Sequence, residues 1–331
     1  MIRPIADKVL SGGEVTPHEA AALAGVCGPD VHDLLYWANR IRERFCGDEI
    51  HLCSIVNARS GACPEDCIFC AQSARHSANV PAFPMLAPEQ IVSAGRDAAR
   101  RGAVCVGIVT SGPDPGSERD LQTVCEAAAE LSATGAINVC TSLGHLTVDQ
   151  ARRLAVAGVQ RIHHNVETSR RFFPSICTTH GYEDRVRTVR AAKAAGLEVC
   201  SGGIFGLGES WTDRVEMALE LRELDVCSVP INFLNPIPGT PCEHNELLAP
   251  LDCLKIIALF RFVLPRKLIK TAGGRERNLR DLQSWMYYAG ANGTMTGNYL
   301  TTAGRAPEED LQMIADLGLR PQRHSGRRTS K

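Results

Sequence analysis

Ile50-His51-Leu52-Cys53-Ser54-Ile55-Val56-Asn57 is followed, after Ala58-Arg59-Ser60, by Gly61-Ala62-Cys63-Pro64-Glu65-Asp66-Cys67-Ile68-Phe69-Cys70-Ala71-Gln72-Ser73. The first part is a short apolar and β-branched run and reads as a strand; the second reads as a loop that carries three thiols. This is where the pattern of the chain changes. Upstream, residues 1–48 read as amphipathic helices: Thr16-Pro17-His18-Glu19 offers a cap residue, a proline at the first helical position and an acid in the first turn. A second helix is expected from Asp30 to Arg44. Downstream, apolar runs recur near 50–57, 103–110, 136–141, 160–166, 197–202, 227–234, 267–272 and 293–297. Helical segments separate them: Pro88–Arg101, Glu118–Thr134, Thr147–Ala157, Tyr182–Ala195, Trp211–Leu224, Leu251–Leu264, Arg277–Tyr288 and Glu308–Leu317. Eight strand–helix units predict an α/β fold, a (β/α)8 TIM-type barrel with an N-terminal helical cap. The expected organisation is a cap over 1–48, a barrel over 49–318 and a basic, disordered tail over 319–331. A doubly wound sheet competes poorly. Gly202-Gly203-Ile204-Phe205-Gly206-Leu207-Gly208 matches a dinucleotide fingerprint only loosely, comes fifth in the series and has no ribose-binding acid in place.

The chain has 331 residues, 44% hydrophobic and 22% charged, with a formal net charge of -1. That balance, without aromatic-interleaved basic patches, gives no case for nucleic acid, and it gives none for a membrane surface. Met1-Ile2-Arg3-Pro4 does not begin a signal-peptide core and no apolar run approaches ~18 residues, so a soluble, cytoplasmic protein is expected. Fourteen cysteines in a large chain expected in a reducing compartment point to metal or cluster ligation rather than disulfides. Several should still be packing residues; Cys125 and Cys253, on apolar helix faces, are read as core.

Cys63, Cys67 and Cys70 stand in the order C-x3-C-x2-C. Three thiols are one short of a closed tetrahedral zinc site or a four-cysteine iron–sulfur site. A cubane cluster held here would keep one iron open to bind and activate a ligand; a zinc knuckle borrowing a distant fourth ligand is the other reading. The chemistry of a barrel sits at the C-terminal ends of its strands. There the sequence places Cys140, His163-His164-Asn165-Val166-Glu167, Cys200, Cys227 to Asn232, and Lys270 ahead of Gly273-Gly274-Arg275-Glu276. His163 and His164 are adjacent, so only one is expected to face the barrel interior. The segment 235–241 reads as a stiff loop, either a lid or plain turn chemistry. Cys177 and Cys242 are read as loop bystanders.

The cysteine spacing, with Phe69 before the last thiol, resembles the S-adenosylmethionine radical enzymes. Within them the chain resembles the biotin synthases. Ser60-Gly61-Ala62-Cys63-Pro64-Glu65-Asp66-Cys67, Ala71-Gln72-Ser73, Cys200-Ser201-Gly202-Gly203, Ser228-Val229-Pro230-Ile231-Asn232, Gly239-Thr240-Pro241 and Ala272-Gly273-Gly274-Arg275-Glu276 carry the likeness, in order, from about residue 30 to about 318. The resemblance implies a 4Fe–4S cluster on Cys63, Cys67 and Cys70, with S-adenosylmethionine on its open iron as the source of a 5′-deoxyadenosyl radical. It implies sulfur insertion between the methyl and ring methine carbons of dethiobiotin, the sulfur coming from an auxiliary iron–sulfur cluster deep in the barrel. It also implies cofactor contacts from Asn165, Glu167 and Arg185, and substrate contacts from Asn232 and His163. A homodimer and a flavodoxin- or ferredoxin-type electron donor follow from the same likeness. Glu167 stands where the family has aspartate, and Lys270 where it has an arginine at the auxiliary cluster. Gly107 is aligned with an expected cysteine; Cys105 lies two residues earlier on the same strand face. The expectation is therefore an altered auxiliary cluster, 2Fe–2S or larger, on Cys53, Cys140, Cys200 and Cys227 with Lys270 beside it. Another radical enzyme of similar architecture, a hydrogenase-cofactor maturase or an amino-acid mutase, is the nearest rival. Neither has a reason to carry Ser228-Val229-Pro230-Ile231-Asn232 together with Cys140 and Cys200.

Overall fold

The structure is a computed structural model and describes residues 1–324. Three helices come first: α1 (Ile2–Leu10), α2 (Pro17–Ala24) and α3 (Asp30–Cys46). Then follow β1 (Glu49–Arg59), α4 (Pro88–Arg100), β2 (Cys105–Thr110), α5 (Glu118–Ala133), β3 (Asn138–Ser142), α6 (Val148–Val156), β4 (Arg161–His163), α7 (Tyr182–Ala194) and β5 (Glu198–Cys200). The series continues with β6 (Gly203–Phe205), α8 (Trp211–Glu223), β7 (Ser228–Phe233), α9 (Pro250–Val263) and β8 (Leu268–Thr271). It ends with α10 (Arg275–Leu279), α11 (Trp285–Tyr288), β9 (Gly293–Met295), α12 (Pro307–Asp316) and β10 (Arg320–Pro321). Among the described residues, β1-β2-β3-β4-β5-β7-β8-β9 pair in parallel and β9 returns to β1, closing the expected eight-stranded barrel.

Local sequence starts the helices where the alternation predicts. Thr16, Ser117, Thr147 and Ser210 each accept a hydrogen bond from the backbone three residues on, and Glu19, Asp120, Gln150 and Asp213 reach back in capping boxes. Helix α9 is buried from Cys253 to Val263, Lys255 and Arg261 included, because it is covered on both sides, by the barrel and by α3; Cys253 is fully buried in it, and Cys125 packs half-buried on α5.

Three boundaries differ from expectation. The run 197–202 ends at Cys200, and a separate short strand, β6, pairs with Ile231–Phe233 of β7. The helix expected over 277–288 is broken, because Arg280 adopts a left-handed φ of 51°. The expected tail is ordered at its start: Arg320–Pro321 pairs with Glu49 and Ile50, and Leu319 packs on the core. The remainder, 325–331, lies outside the described residues.

A buried ion pair ties α12 to the start of α10. The Arg275 guanidinium donates to both Asp310 carboxylate oxygens, at 2.8 and 2.7 Å, and neither side chain is exposed. Asp310→Ala strands that guanidinium away from water. We expect a loss of about 3–5 kcal/mol of stability, measurable by urea unfolding.

Candidate functional site

The cysteine loop leaves β1 and folds back on itself. The Gly61 N–H and the Ser60 hydroxyl both donate to the Gln72 side-chain oxygen, at 3.1 and 3.0 Å. The Cys63 N–H donates to Gln72 O and the Ala74 N–H to Cys63 O. This frame turns Cys63, Cys67, Cys70 and Phe69 towards one cavity of about 180 Å³, shared with Asn165, Glu167 and Arg185. Burial pushes the Cys63 thiol up and the Cys70 thiol up to about 11; the Cys67 thiol rises through its contact with Cys177 and through burial. Metal binding here must therefore expel protons and weakens as pH falls.

Glu167 and Asn165 hang from the end of β4. Glu167 has φ 69°, a strained value for a non-glycine residue. Its N–H donates to Gly202 O, and the Ile204 N–H donates to Glu167 O. A Cβ on Gly203 would stand 2.0 Å from Glu167 O, so only glycine lets these backbones meet. Asn165 donates to Glu167 Oε2 at 3.2 Å and accepts from the Gly202 N–H at 3.1 Å. Arg185 Nη1 donates to Asn165 O at 3.1 Å and lies 3.5 Å from Glu167 Oε1. Its Nε is buried with no partner, an orphan donor beside the three thiols. That donor set fits an anionic group such as an amino-acid carboxylate. Gly203→Ala should cost about 1–3 kcal/mol in stability through overpacking and weaken S-adenosylmethionine binding, both read by thermal melts with and without the ligand.

A second cavity, of about 350 Å³, continues into the barrel. Phe69, Cys70, Gln72, Asn165 and Glu167 line both spaces, so the thiol loop opens onto it. Asn232 stands in its wall, its amide donating to Gly203 O and accepting from the Gly273 N–H, with one donor and one acceptor position still open. His163 lines both cavities and its Nδ1 lies 3.4 Å from Cys200 Sγ. Only one histidine of the pair is expected to face the interior, yet His164, buried, also reaches the wall of the smaller cavity, where its Nε2 has no partner. Of the 235–241 loop, Asn235 and Ile237 line the larger cavity, and Gly239 accepts from the Ser77 N–H at 3.1 Å.

Deeper still lie the other thiols. Cys53 and Cys105 are register partners on β1 and β2, and with Cys140 of β3 they form one buried cluster. Lys270 is buried, and its Nζ donates to Cys53 Sγ at 3.3 Å. Burial works against the charge of Lys270, but Cys200, Cys53, Cys105 and Cys140 outweigh it and hold the ammonium. Burial raises the Cys200 thiol, but Lys270 and His163 bring it below its ordinary value. Cys227 is not brought into this set. Its thiol donates to Val199 O at 3.1 Å at the start of β7 and lines neither cavity. Cys105, expected only as the alternative to Cys53 and Cys227, sits together with Cys53 in the inner set, and Cys177, expected as a bystander, has its sulfur 3.7 Å from Cys67 Sγ. Thr301 and Thr302, also in the larger cavity wall, carried no signal in the sequence.

Comparison with known proteins bears on what these cavities serve. Residues 58–221 match the Radical SAM superfamily and residues 230–320 the Biotin and Thiamin Synthesis associated domain. The biotin synthase of Geobacter sulfurreducens is 53% identical over 315 residues, 95% of this chain and 96% of the relative. That of Geotalea daltonii is 52% identical over 318 residues, 96% and 97% of the two chains. The chain belongs to the biotin synthase family. Among solved structures, methylornithine synthase (PylB) superposes with a TM-score of 0.85 at 20% identity, covering 97% of this chain and 98% of the other. The hydrogenase maturase HydG gives 0.83 at 18% identity, covering 97% of this chain and 75% of its own. Those two likenesses establish the barrel alone. Membership of the family brings with it a 4Fe–4S cluster, S-adenosylmethionine and an auxiliary iron–sulfur cluster. The two buried thiol groups and the orphan Arg185 donor fit that inventory. Among the described residues no helix is long and apolar enough to cross a membrane.

Proposed function

We infer that this chain is a biotin synthase, which inserts sulfur between the methyl and ring methine carbons of dethiobiotin. The observation that carries the reading is the pairing of two thiol groups along one continuous interior. Cys63, Cys67 and Cys70 face the mouth, and Cys53, Cys105 and Cys140 lie at the base. When bound, the mouth cluster and S-adenosylmethionine supply a hydrogen-abstracting radical, and the inner cluster supplies sulfur.

The chain's own residues bind, orient and exclude. Arg185 takes the carboxylate of S-adenosylmethionine, its free Nε making the contact the fold leaves open, while Asn165 and Glu167 take the ribose hydroxyls. Asn232 offers its remaining donor and acceptor to the ureido ring of dethiobiotin, and His163 packs between substrate and Cys200. Apolar walls, among them the partly buried Phe69 and Ile204 and the buried Phe233 and Leu234, keep out water, which protects a radical from side reactions. Lys270 gives the inner thiolates a compact positive charge in place of an arginine fork. Cys53, Cys105, Cys140 and Cys200 are the thiols best disposed to hold the inner cluster. The radical rivals have no reason to carry Ser228-Val229-Pro230-Ile231-Asn232 together with Cys140 and Cys200, and the family relatives at more than half identity disfavour them further.

The reading also takes a low-potential electron donor of flavodoxin or ferredoxin type and a cytoplasmic homodimer, both on family likeness; light scattering tests the latter. The direct test is incubation of the anaerobically reconstituted chain with dethiobiotin, S-adenosylmethionine and a strong reductant. Biotin and 5′-deoxyadenosine should appear together. Formation of 5′-deoxyadenosine without biotin would sink the assignment.

A further inference from the structure

The floor of the barrel holds a group that the function above does not use. His51 precedes Cys53 by two residues on β1 and so shares its strand face. Its Nε2 lies 3.5 Å from Cys53 Sγ, while its Nδ1 lies 2.8 Å from Gln322 Oε1. A side-chain carbonyl oxygen only accepts, so with this amide orientation Nδ1 carries the proton and Nε2 turns a bare lone pair to the thiols. One ring nitrogen of His51, Cys53 Sγ and Cys105 Sγ all lie within 4.8 Å of one another, a spacing that suits ligands gathered on one metal centre, and it is Nε2 that stands 3.5 Å from Cys53 Sγ. A metal-binding histidine characteristically donates its second ring N–H to a carbonyl or carboxylate, and Gln322 stands ready to accept it. Gln322 is itself fixed: its N–H donates to Ile50 O at 2.8 Å, just beyond the β10–β1 pairing. The start of the expected tail therefore holds the imidazole ring.

We propose that His51 is a nitrogen ligand of the auxiliary cluster, beside Cys53 and Cys105 and oriented by Gln322. The proposal rests on the reading of the chain as an enzyme with a second cluster in its barrel. On ligation each thiol loses a proton and the imidazole loses none. A neutral nitrogen in place of another thiolate leaves the cluster less negative and raises its reduction potential, as histidine ligation does in Rieske centres. With Lys270 on the same thiol, two nitrogens approach Cys53, one as a cation that offsets charge and one as a donor to iron.

The test uses the full chain with Cys63, Cys67 and Cys70 all changed to alanine, so that only the inner cluster assembles. It is grown with 15N-histidine or unlabelled, reconstituted anaerobically with ferrous iron and sulfide, reduced by one electron in the frozen state and read by pulsed EPR. A strong nitrogen coupling that changes with the histidine label and disappears in His51→Ala is the expected result. His51→Cys guards against loss of the cluster: it should keep its iron, lose the coupling and titrate at a lower potential. Gln322→Ala should keep the iron and alter the coupling as the ring turns. No label-sensitive coupling, or one that persists in His51→Cys and so belongs to His163, overturns the proposal. A triple-alanine chain that takes up no iron at all overturns the second cluster itself, and the proposal with it.

Discussion

Serine at Cys67 abolishes biotin formation and, with it, the reductive cleavage of S-adenosylmethionine. Cys67 is buried on the three-thiol loop, and Gln72 closes that loop against Ser60 and Gly61, so a hydroxyl there offers no thiolate in the place the fold sets for it. The nearest substitute is Cys177, 3.7 Å away. It is already engaged with Asp66 Oδ1 at 3.3 Å and His180 Nδ1 at 3.3 Å, and it belongs to a different segment of the chain. The expected loss of 5′-deoxyadenosine production is at least 1,000-fold, about 4 kcal/mol or more in barrier terms, read by chromatography after anaerobic incubation. Wild-type levels of 5′-deoxyadenosine from Cys67→Ser would remove the three-thiol loop from the mechanism.

The second large effect separates the two thiol groups. Cys105→Ser should leave 5′-deoxyadenosine formation within a few-fold of the parent while biotin falls below detection, because the mouth of the barrel is untouched and its base is not. Cys105 faces Cys53 across the β1–β2 register and lines the larger cavity, so a missing thiolate there breaks the inner set. Cys227→Ser is the matched control. Its thiol already spends its proton on Val199 O, a bond that a hydroxyl can make as well, and the expected change in biotin yield is small. The opposite outcome, with Cys227 essential and Cys105 dispensable, would restore the ligand set expected from sequence and contradict the geometry.

The contrast between those two cysteines shows what the sequence could and could not tell. The barrel was legible because its signals are local: short apolar and β-branched runs, separated by helices that begin on Ser117, Thr147 and Ser210 with an acid or amide three residues on. The C-x3-C-x2-C loop was legible for the same reason. The inner set depends instead on which residues of separate strands share a layer, and that is fixed by register. A two-residue shift along β2 stays on the same face, so Cys105 and Gly107 could not be told apart by alternation. Cys227 was read as part of the sixth strand, but β7 begins one residue later, at Ser228, and the thiol just before it meets backbone rather than cavity. His51 and Gln322 are 271 residues apart, and a basic C-terminal stretch gave no sign that its first residues would pair with β1. Cys177 and Cys67, 110 residues apart, meet only because the loop after β4 folds over the cysteine loop.

The account stands or falls on where the sulfur of the product comes from. The measurement is a single turnover by the full chain, its clusters reconstituted anaerobically with 34S-sulfide, given dethiobiotin, S-adenosylmethionine and reductant, with the product analysed by mass spectrometry. The account predicts biotin carrying 34S, in yield proportional to the inner-cluster iron that Mössbauer spectra report. Biotin without the label, or 34S-loaded protein that makes 5′-deoxyadenosine and no biotin, would contradict it.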